Sequence, residues 1–280
     1  MLNIPEYKHY NGERRIALLD NSAVSFMEKL ERCGILTGEL LRGYELVLIP
    51  NWVAAEIKDS SYRSMYTEKL YNDGIPLFIV AEENYAQLVH KEEGRLFSIV
   101  YAASATLGAL KSYLRRNVET PDPLDMDAYE DWIVKMYHDW PLNDVCTANG
   151  RAKKKDAGEI SLTILAEILS WYYPSSEVIT IYTQDRDAYA FQENAHRQLK
   201  RIFLDRKSVQ VGYKSNDWLL QQLYMHGKIT LEKVKEMRTD ERTVTYTEIR
   251  KDSSTILVTQ KVDNEHFVAL LKNATVQIIF

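Results

Sequence analysis

Asp20, Glu56, Glu159 and the pair Asp185 and Asp187 each follow the end of an apolar run or open a helix-like segment. Asp20 closes Ile16-Ala17-Leu18-Leu19. Glu56 sits a few residues beyond Leu46-Val47-Leu48-Ile49-Pro50. Glu159 heads an Ala- and Leu-rich stretch, and Asp185 and Asp187 follow Val178-Ile179-Thr180-Ile181-Tyr182. In a parallel α/β sheet, strand C-termini share one edge, so acids distant in sequence meet there. Carboxylates gathered at one place repel unless a cation neutralises them. A set of oxygen donors without His or Cys suits Mg²⁺ or Mn²⁺. Such ions serve phosphodiester hydrolysis by activating water and by stabilising charge on the phosphate and the leaving oxygen. Arg151, Lys153, Lys154 and Lys155 put four positive charges in five positions directly before Glu159. A run of that kind is either a solvated face or a hold on the phosphates beside a scissile one.

The elements that must position these residues follow from the pattern of apolar runs. Short continuous runs at 16–19, 46–49, 75–80 and 178–182 read as strands buried on both faces. Asp20-Asn21-Ser22 starts a helix to about Arg32. Pro50 opens a helix from Trp52 to Lys58. Residues 82–118 read as helical, with Gly94 and Gly108 as breaks. Glu119–Asp127 reads as a loop, Tyr129–Trp140 as a helix, Leu142–Lys155 as polar connection, and Ala157–Tyr172 as a strong helix. Thr183-Gln184-Asp185 turns into a helix to about Lys200, and Arg201–Leu204 reads as one more short strand. Alternating strands and helices predict a three-layer α/β/α fold with a mostly parallel central sheet over 1–213. Residues 214–280 predict a small α+β appendage: helices at 216–226 and 231–237, an antiparallel pair at 243–247 and 255–259, a helix at 266–271, and a last strand at 275–280.

Four segments in this order resemble the motifs of the PIN-domain family of metal-dependent ribonucleases. They are Ile16-Ala17-Leu18-Leu19-Asp20-Asn21-Ser22, Ile49-Pro50-Asn51-Trp52-Val53-Ala54-Ala55-Glu56, Asp156-Ala157-Gly158-Glu159-Ile160-Ser161-Leu162 and Ile179-Thr180-Ile181-Tyr182-Thr183-Gln184-Asp185-Arg186-Asp187. The resemblance covers about residues 14–205. It implies a PIN-like fold and an endoribonuclease in which Asp20, Glu56, Glu159 and Asp185 hold one or two Mg²⁺ or Mn²⁺ ions. Cleavage would leave a 3′-hydroxyl and a 5′-phosphate. Ser22, Thr183 and Asp156 are then supporting residues, and Asp187 is a more peripheral metal-shell residue. RNA is the implied substrate. Because many family members are toxins, an antitoxin or other regulatory protein is the implied partner, and an oligomer is compatible. The 103 positions from Glu56 to Glu159 exceed the spacing of compact members, and the excess is assigned to a helical insertion at about 60–140. The alternative from the same resemblance is a catalytically inactive nucleic-acid-binding or scaffold module.

Each motif also has a plainer reading. Asp156 with Glu159 three residues later makes a capping box. Asp20 reads as a helix cap, though Ser22 offers the same service. Asp185 and Asp187 suit a turn, Glu56 suits a solvated face, and Trp132, Trp140, Trp171 and Tyr172 read as core. Composition bounds the rest. The chain has 280 residues, 45% hydrophobic and 27% charged, with a net charge of −5. This is a globular composition that argues against a strongly basic nucleic-acid coat protein. Phosphate-loop, dinucleotide-binding and His-Glu-x-x-His signatures are missing from the sequence. Two cysteines, a polar stretch from Met1 to Tyr10 and no long apolar run predict a reduced cytoplasmic protein away from membranes.

Overall fold

The computed structural model describes residues 2–90, 92, 94–118, 126–142, 144–146, 152–250 and 253–280. Its centre is a parallel five-stranded sheet: β1 (Arg15–Leu19), β2 (Leu46–Pro50), β3 (Leu77–Val80), β6 (Val178–Tyr182) and β7 (Val211–Lys214), in the spatial order β3-β2-β1-β6-β7. Between β3 and β6, β4 (Asp144–Cys146) and β5 (Ala152–Lys154) form a separate antiparallel hairpin. Ile16 pairs with Leu46 on one side and Ile179 on the other, so β1 is the central strand. Its Ile16, Ala17, Leu18 and Leu19 are all buried, as a strand covered on both faces requires. The chain leaves β1 toward β2 and β3, then returns to the other side of β1 for β6 and β7. That reversal opens a crevice beyond the carboxyl ends of β1 and β6, where sheets of this kind place their ligands.

Helices cover the sheet: α1 (Asn21–Arg32), α2 (Asn51–Ile57), α3 (Ser61–Asn72), α4 (Tyr85–Leu88), α5 (Arg95–Ala103), α6 (Gly108–Asn117), α7 (Met126–His138), α8 (Ala157–Tyr172) and α9 (Arg186–Leu199). The architecture is the expected three-layer α/β/α. Helix α8 packs against α2, α5 and α9, and every residue in it is buried except Glu159. A helix apolar on nearly all sides needs cover on nearly all sides, and the helices after β3 supply part of it. The stretch 60–140 is therefore not all insertion, because it includes α3 and β3, the edge strand paired to β2.

Two further expectations fail. Arg201–Leu204 is a turn capping the end of α9, with Phe203 N–H donating to Leu199 O at 2.8 Å. Phe203 is buried against the ring of Trp171, while Leu204 is 84% exposed, so this stretch serves as an anchor and the fifth strand falls at 211–214. The segment read as polar connection contains the β4–β5 hairpin, whose alternation over three residues per strand is too short to register as a pattern. The core reading of the aromatics holds: Trp140, Trp171 and Tyr172 are buried, and Trp132 packs against the core.

Beyond β7 come α10 (Asn216–Met225), α11 (Leu231–Met237), β8 (Arg242–Ile249), β9 (Thr255–Val262), α12 (Asn264–Lys272) and β10 (Val276–Ile278). They make an antiparallel sheet in the order β10-β8-β9. Arg238, fully buried, ties this region together: it donates to Asp217 (3.1 Å), Asn264 (3.0 Å) and the carbonyl of Val262 (2.8 Å). The sequence boundary at 213/214 falls one residue inside β7. Among the described residues no helix is long and apolar enough to cross a membrane.

Helix α2 starts at Pro50, which offers no side-chain cap. Its N-terminal amides are served from a distance: Trp52 N–H donates to Glu82 Oε1 at 3.0 Å, and Ser161 Oγ donates to the same oxygen at 2.6 Å. Glu82 Oε2 is buried with no partner among the described residues. Burial pushes the Glu82 carboxyl up to about 8. The native state therefore holds a proton that the unfolded chain releases at ordinary carboxylate pH. This contribution to stability is complete below that pH and is lost as pH rises through about 8, at on the order of 1 kcal/mol per pH unit between. Glu82→Gln, neutral throughout, should gain stability relative to the parent as urea unfolding is moved from acidic to alkaline buffer. Parallel pH profiles for the two proteins would contradict this assignment.

Candidate functional site

Asp20 stands where β1 ends, and its own N–H continues the ladder to the carbonyl of Tyr182 at 3.0 Å. It caps α1, accepting from Asn21 N–H at 2.7 Å and more weakly from Ser22 N–H at 3.4 Å. Ser22 is thus not the cap. It turns its hydroxyl onto Asp20 Oδ2, which also accepts from Thr183 Oγ1 at 2.8 Å. Ser22 Oγ accepts from Gln184 N–H (3.0 Å), and Thr183 Oγ1 accepts from Asp185 N–H (2.9 Å). The ends of β1 and β6 are therefore sewn together by two hydroxyls that share one carboxylate oxygen. Asp185 caps α9 by accepting from Asp187 N–H at 2.8 Å, and Asp187 itself is exposed.

Glu56 reaches the same edge from α2. It accepts from Asn21 Nδ2 and from Lys153 Nζ, both at 3.2 Å. Arg63 on α3 orients Asn21 by donating to its Oδ1 at 2.6 Å. Gly158 lets α8 approach α2 closely: a Cβ there would sit 3.3 Å from Val53 Cγ2 and 3.4 Å from Glu56 Oε1. The next residue, Glu159, points its carboxylate among the others. Burial, then the charge on Asp20, with Glu56 and Asp185 adding, pushes the Glu159 carboxyl up to about 8. Burial also raises Glu56, opposed by the Lys153 ammonium and reinforced by Asp20. Asp185 is raised by burial, with Asp187, Asp20 and Asp156 adding negative charge nearby. The four acids thus share one electrostatic neighbourhood, with Glu159 at its hub.

Asp156 does not cap α8. It adopts a left-handed conformation, φ +59°, and makes no capping hydrogen bond. The hairpin β4–β5 delivers the chain to α8 through this tight turn, which leaves the side chain unable to face the helix amides. Of the basic run, Lys153 is on Glu56, Lys154 Nζ donates to the carbonyl of His138 at 3.2 Å, and Lys155 is exposed. Arg151 lies outside the described residues. A cavity of about 220 Å³ opens beside Glu56, walled by Trp52, Tyr137, Lys58, Lys153 and Lys154. Sequence reasoning missed Asn21 and Arg63 as partners of the acids, and it missed the Lys153–Glu56 ion pair. Nothing local in the sequence signals a contact between positions so far apart.

The donor chemistry fits a hard divalent cation: oxygens only, an excess of negative charge, and one carboxyl raised to about 8 by burial and then by its carboxylate neighbours. The spacing is wider than coordination. Among the described residues no three His, Cys, Asp or Glu side chains stand close enough together to hold one ion. To hold such an ion, the long side chains of Glu56 and Glu159 would have to close in and Lys153 would have to leave Glu56. No family model, curated protein or solved structure matches the chain.

The hydroxyl clamp gives a direct test. Thr183→Val removes a donor to Asp20 and the acceptor of Asp185 N–H together. It should lower unfolding free energy by about 1–3 kcal/mol, measured by urea denaturation, and Thr183→Ser should recover most of the loss. Equal stability of parent and Thr183→Val would mean that the clamp carries no load.

Proposed function

We propose that the protein is a metal-dependent phosphodiesterase of the PIN type, an endoribonuclease acting in the cytoplasm on RNA with Mg²⁺ or Mn²⁺. The observation that carries this reading is the meeting of Asp20, Glu56, Glu159 and Asp185 at the crevice between β1 and β6, without matching positive charge. When bound, a divalent ion supplies Lewis acidity toward phosphate oxygens and a water acidic enough to attack near neutral pH. The chain's own residues set the stage. Asp20 is a fixed donor, because two hydroxyls and a backbone amide immobilise its carboxylate. Glu159 holds a proton on its carboxyl near neutral pH and releases it when positive charge enters the cluster. Lys153, once off Glu56, would hold a flanking phosphate with Lys58 and Lys154, which line the adjoining cavity together with Glu56 and Asp59. Asp187 remains outside as a secondary acid, and Asp156 adds charge behind Asp185. On this reading an antitoxin-like or other regulatory protein is the expected partner.

One observation favours a second reading. The Lys153–Glu56 ion pair neutralises part of the cluster without any metal. A non-hydrolytic nucleic-acid-binding or scaffold module would keep that pair permanently. Cleavage decides between the two. With Mn²⁺ the purified protein should cut single-stranded RNA, and Asp20→Asn should reduce cutting to background. RNA binding without Asp20-dependent cutting would favour the second reading.

The lysines make a separate prediction. Replacing Lys153, Lys154 and Lys155 by Gln should lower the slope of log affinity against log salt by about two, at roughly 0.7 per phosphate contact on single strands. An unchanged slope would return these lysines to a solvated or ion-paired role.

A further inference from the structure

A second cavity, about 520 Å³, lies where α9 and the edge strand β7 meet the C-terminal antiparallel sheet. It has more than twice the volume of the one beside Glu56, and is within the range of small-molecule sites. Three aromatic residues line it in sequence of contact. Tyr189 meets Tyr213 edge to face with ring centres 5.3 Å apart, and Tyr213 meets Phe280 in the same way at 6.2 Å. Tyr189 is 50% exposed. Among the described residues the one charged lining side chain is Arg186, the first residue of α9, set in the chain between Asp185 and Asp187. Its Nη2 donates to Thr245 Oγ1 at 2.9 Å, across to the C-terminal sheet.

Gly212 is the most telling part of the wall. It lies within β7, where a glycine weakens a strand. The fold gives no steric reason for it: a Cβ there would meet only the carbonyl oxygen of Ile179, at an ordinary 3.7 Å. A missing side chain in an edge strand that lines a cavity leaves room for something to approach the backbone. The surrounding groups say what kind of group that is. The half-exposed ring of Tyr189 can stack on any base, while Arg186, whose guanidinium lies 5.5 Å over the Phe280 ring, and the threonine hydroxyls address polar base edges. Among the described residues no Asp or Glu side chain lines the cavity, which suits the phosphate attached to the base.

We propose that this cavity binds a nucleobase of single-stranded RNA, from a nucleotide neighbouring the scissile phosphate. The occupant as an RNA base rests on the ribonuclease reading, and Arg186 is the physical link between cavity and acid cluster. The C-terminal appendage then has a role: its Thr245 and Phe280 complete the subsite that α9 and β7 begin.

The test uses the whole protein in EDTA, titrated to millimolar concentrations with AMP, GMP, CMP and UMP, and with ribose 5-phosphate as the ligand lacking a base. At least one nucleotide should bind and ribose 5-phosphate should not. Gly212→Val and Tyr189→Ala, checked for unchanged melting temperature, should each weaken binding by about tenfold, within the range for losing one stacked base. If Gly212→Val does not fold, Tyr189→Ala alone carries the comparison. In cleavage of random-sequence RNA with Mn²⁺, the same variants should flatten the base preference at one position beside the cut. Failure of this inference is distinct from failure of the nuclease reading. Asp20-dependent cleavage, with nucleotide binding and base preference untouched by the variants, overturns the subsite alone. Nucleotide binding lost in the variants, with no cleavage by the parent, overturns the nuclease alone. No nucleotide binding, or binding no better than ribose 5-phosphate, overturns the subsite.

Discussion

Repulsion among carboxylates at the end of β1 is the constraint around which this molecule is arranged. Asp20, Glu56, Glu159 and Asp185 arrive from four separate segments; burial raises Glu56, Glu159 and Asp185, and the charge on Asp20 raises all three further. The surrounding structure works to hold the cluster in place. Thr183 and Ser22 immobilise Asp20, Arg63 and Asn21 steady one side of Glu56, and Gly158 admits α8 close enough to bring Glu159 in. Among the described residues, Lys153 is the one that makes a direct ion pair with the four.

Helix α8 connects that cluster to the rest of the protein. Its burial on almost every side makes it rigid, so the one residue left partly open, Glu159, is delivered at a fixed place. The helices that follow β3 provide cover for α8, and the β4–β5 hairpin before it brings Lys153 to Glu56. The long gap between the second and third acids thus supplies packing and a counter-charge. Glu82, buried at its start, caps α2 and so helps to set the position of Glu56.

Much of this was legible in the sequence because the informative signals are local. Continuous apolar runs marked β1, β2, β3 and β6, and an acid after a run marked the sheet edge. The helices α1 and α9 fall where their capping residues put them, and α8 where its long apolar stretch does. What escaped reading depends on geometry or on distant contacts. Asp156 has the composition of a cap but a left-handed backbone that prevents it from serving as one. Arg201–Leu204 has apolar residues, yet Phe203 anchors a turn and the strand comes later. The Lys153–Glu56 pair and the cavity between β7 and the C-terminal sheet join residues far apart in the chain, which no periodicity records.

On the proposed reading the buried carboxylate cluster takes up a divalent cation. Melting temperature in EDTA and then in millimolar Mn²⁺, for the parent and for Glu159→Gln, tests it most directly. Without metal, near neutral pH, the variant should melt above the parent, because the parent must take up a proton on Glu159 to fold and the variant need not. Mn²⁺ should raise the melting temperature of the parent and leave the variant nearly unchanged. A parent indifferent to Mn²⁺, or a variant less stable than the parent in EDTA, would contradict the account.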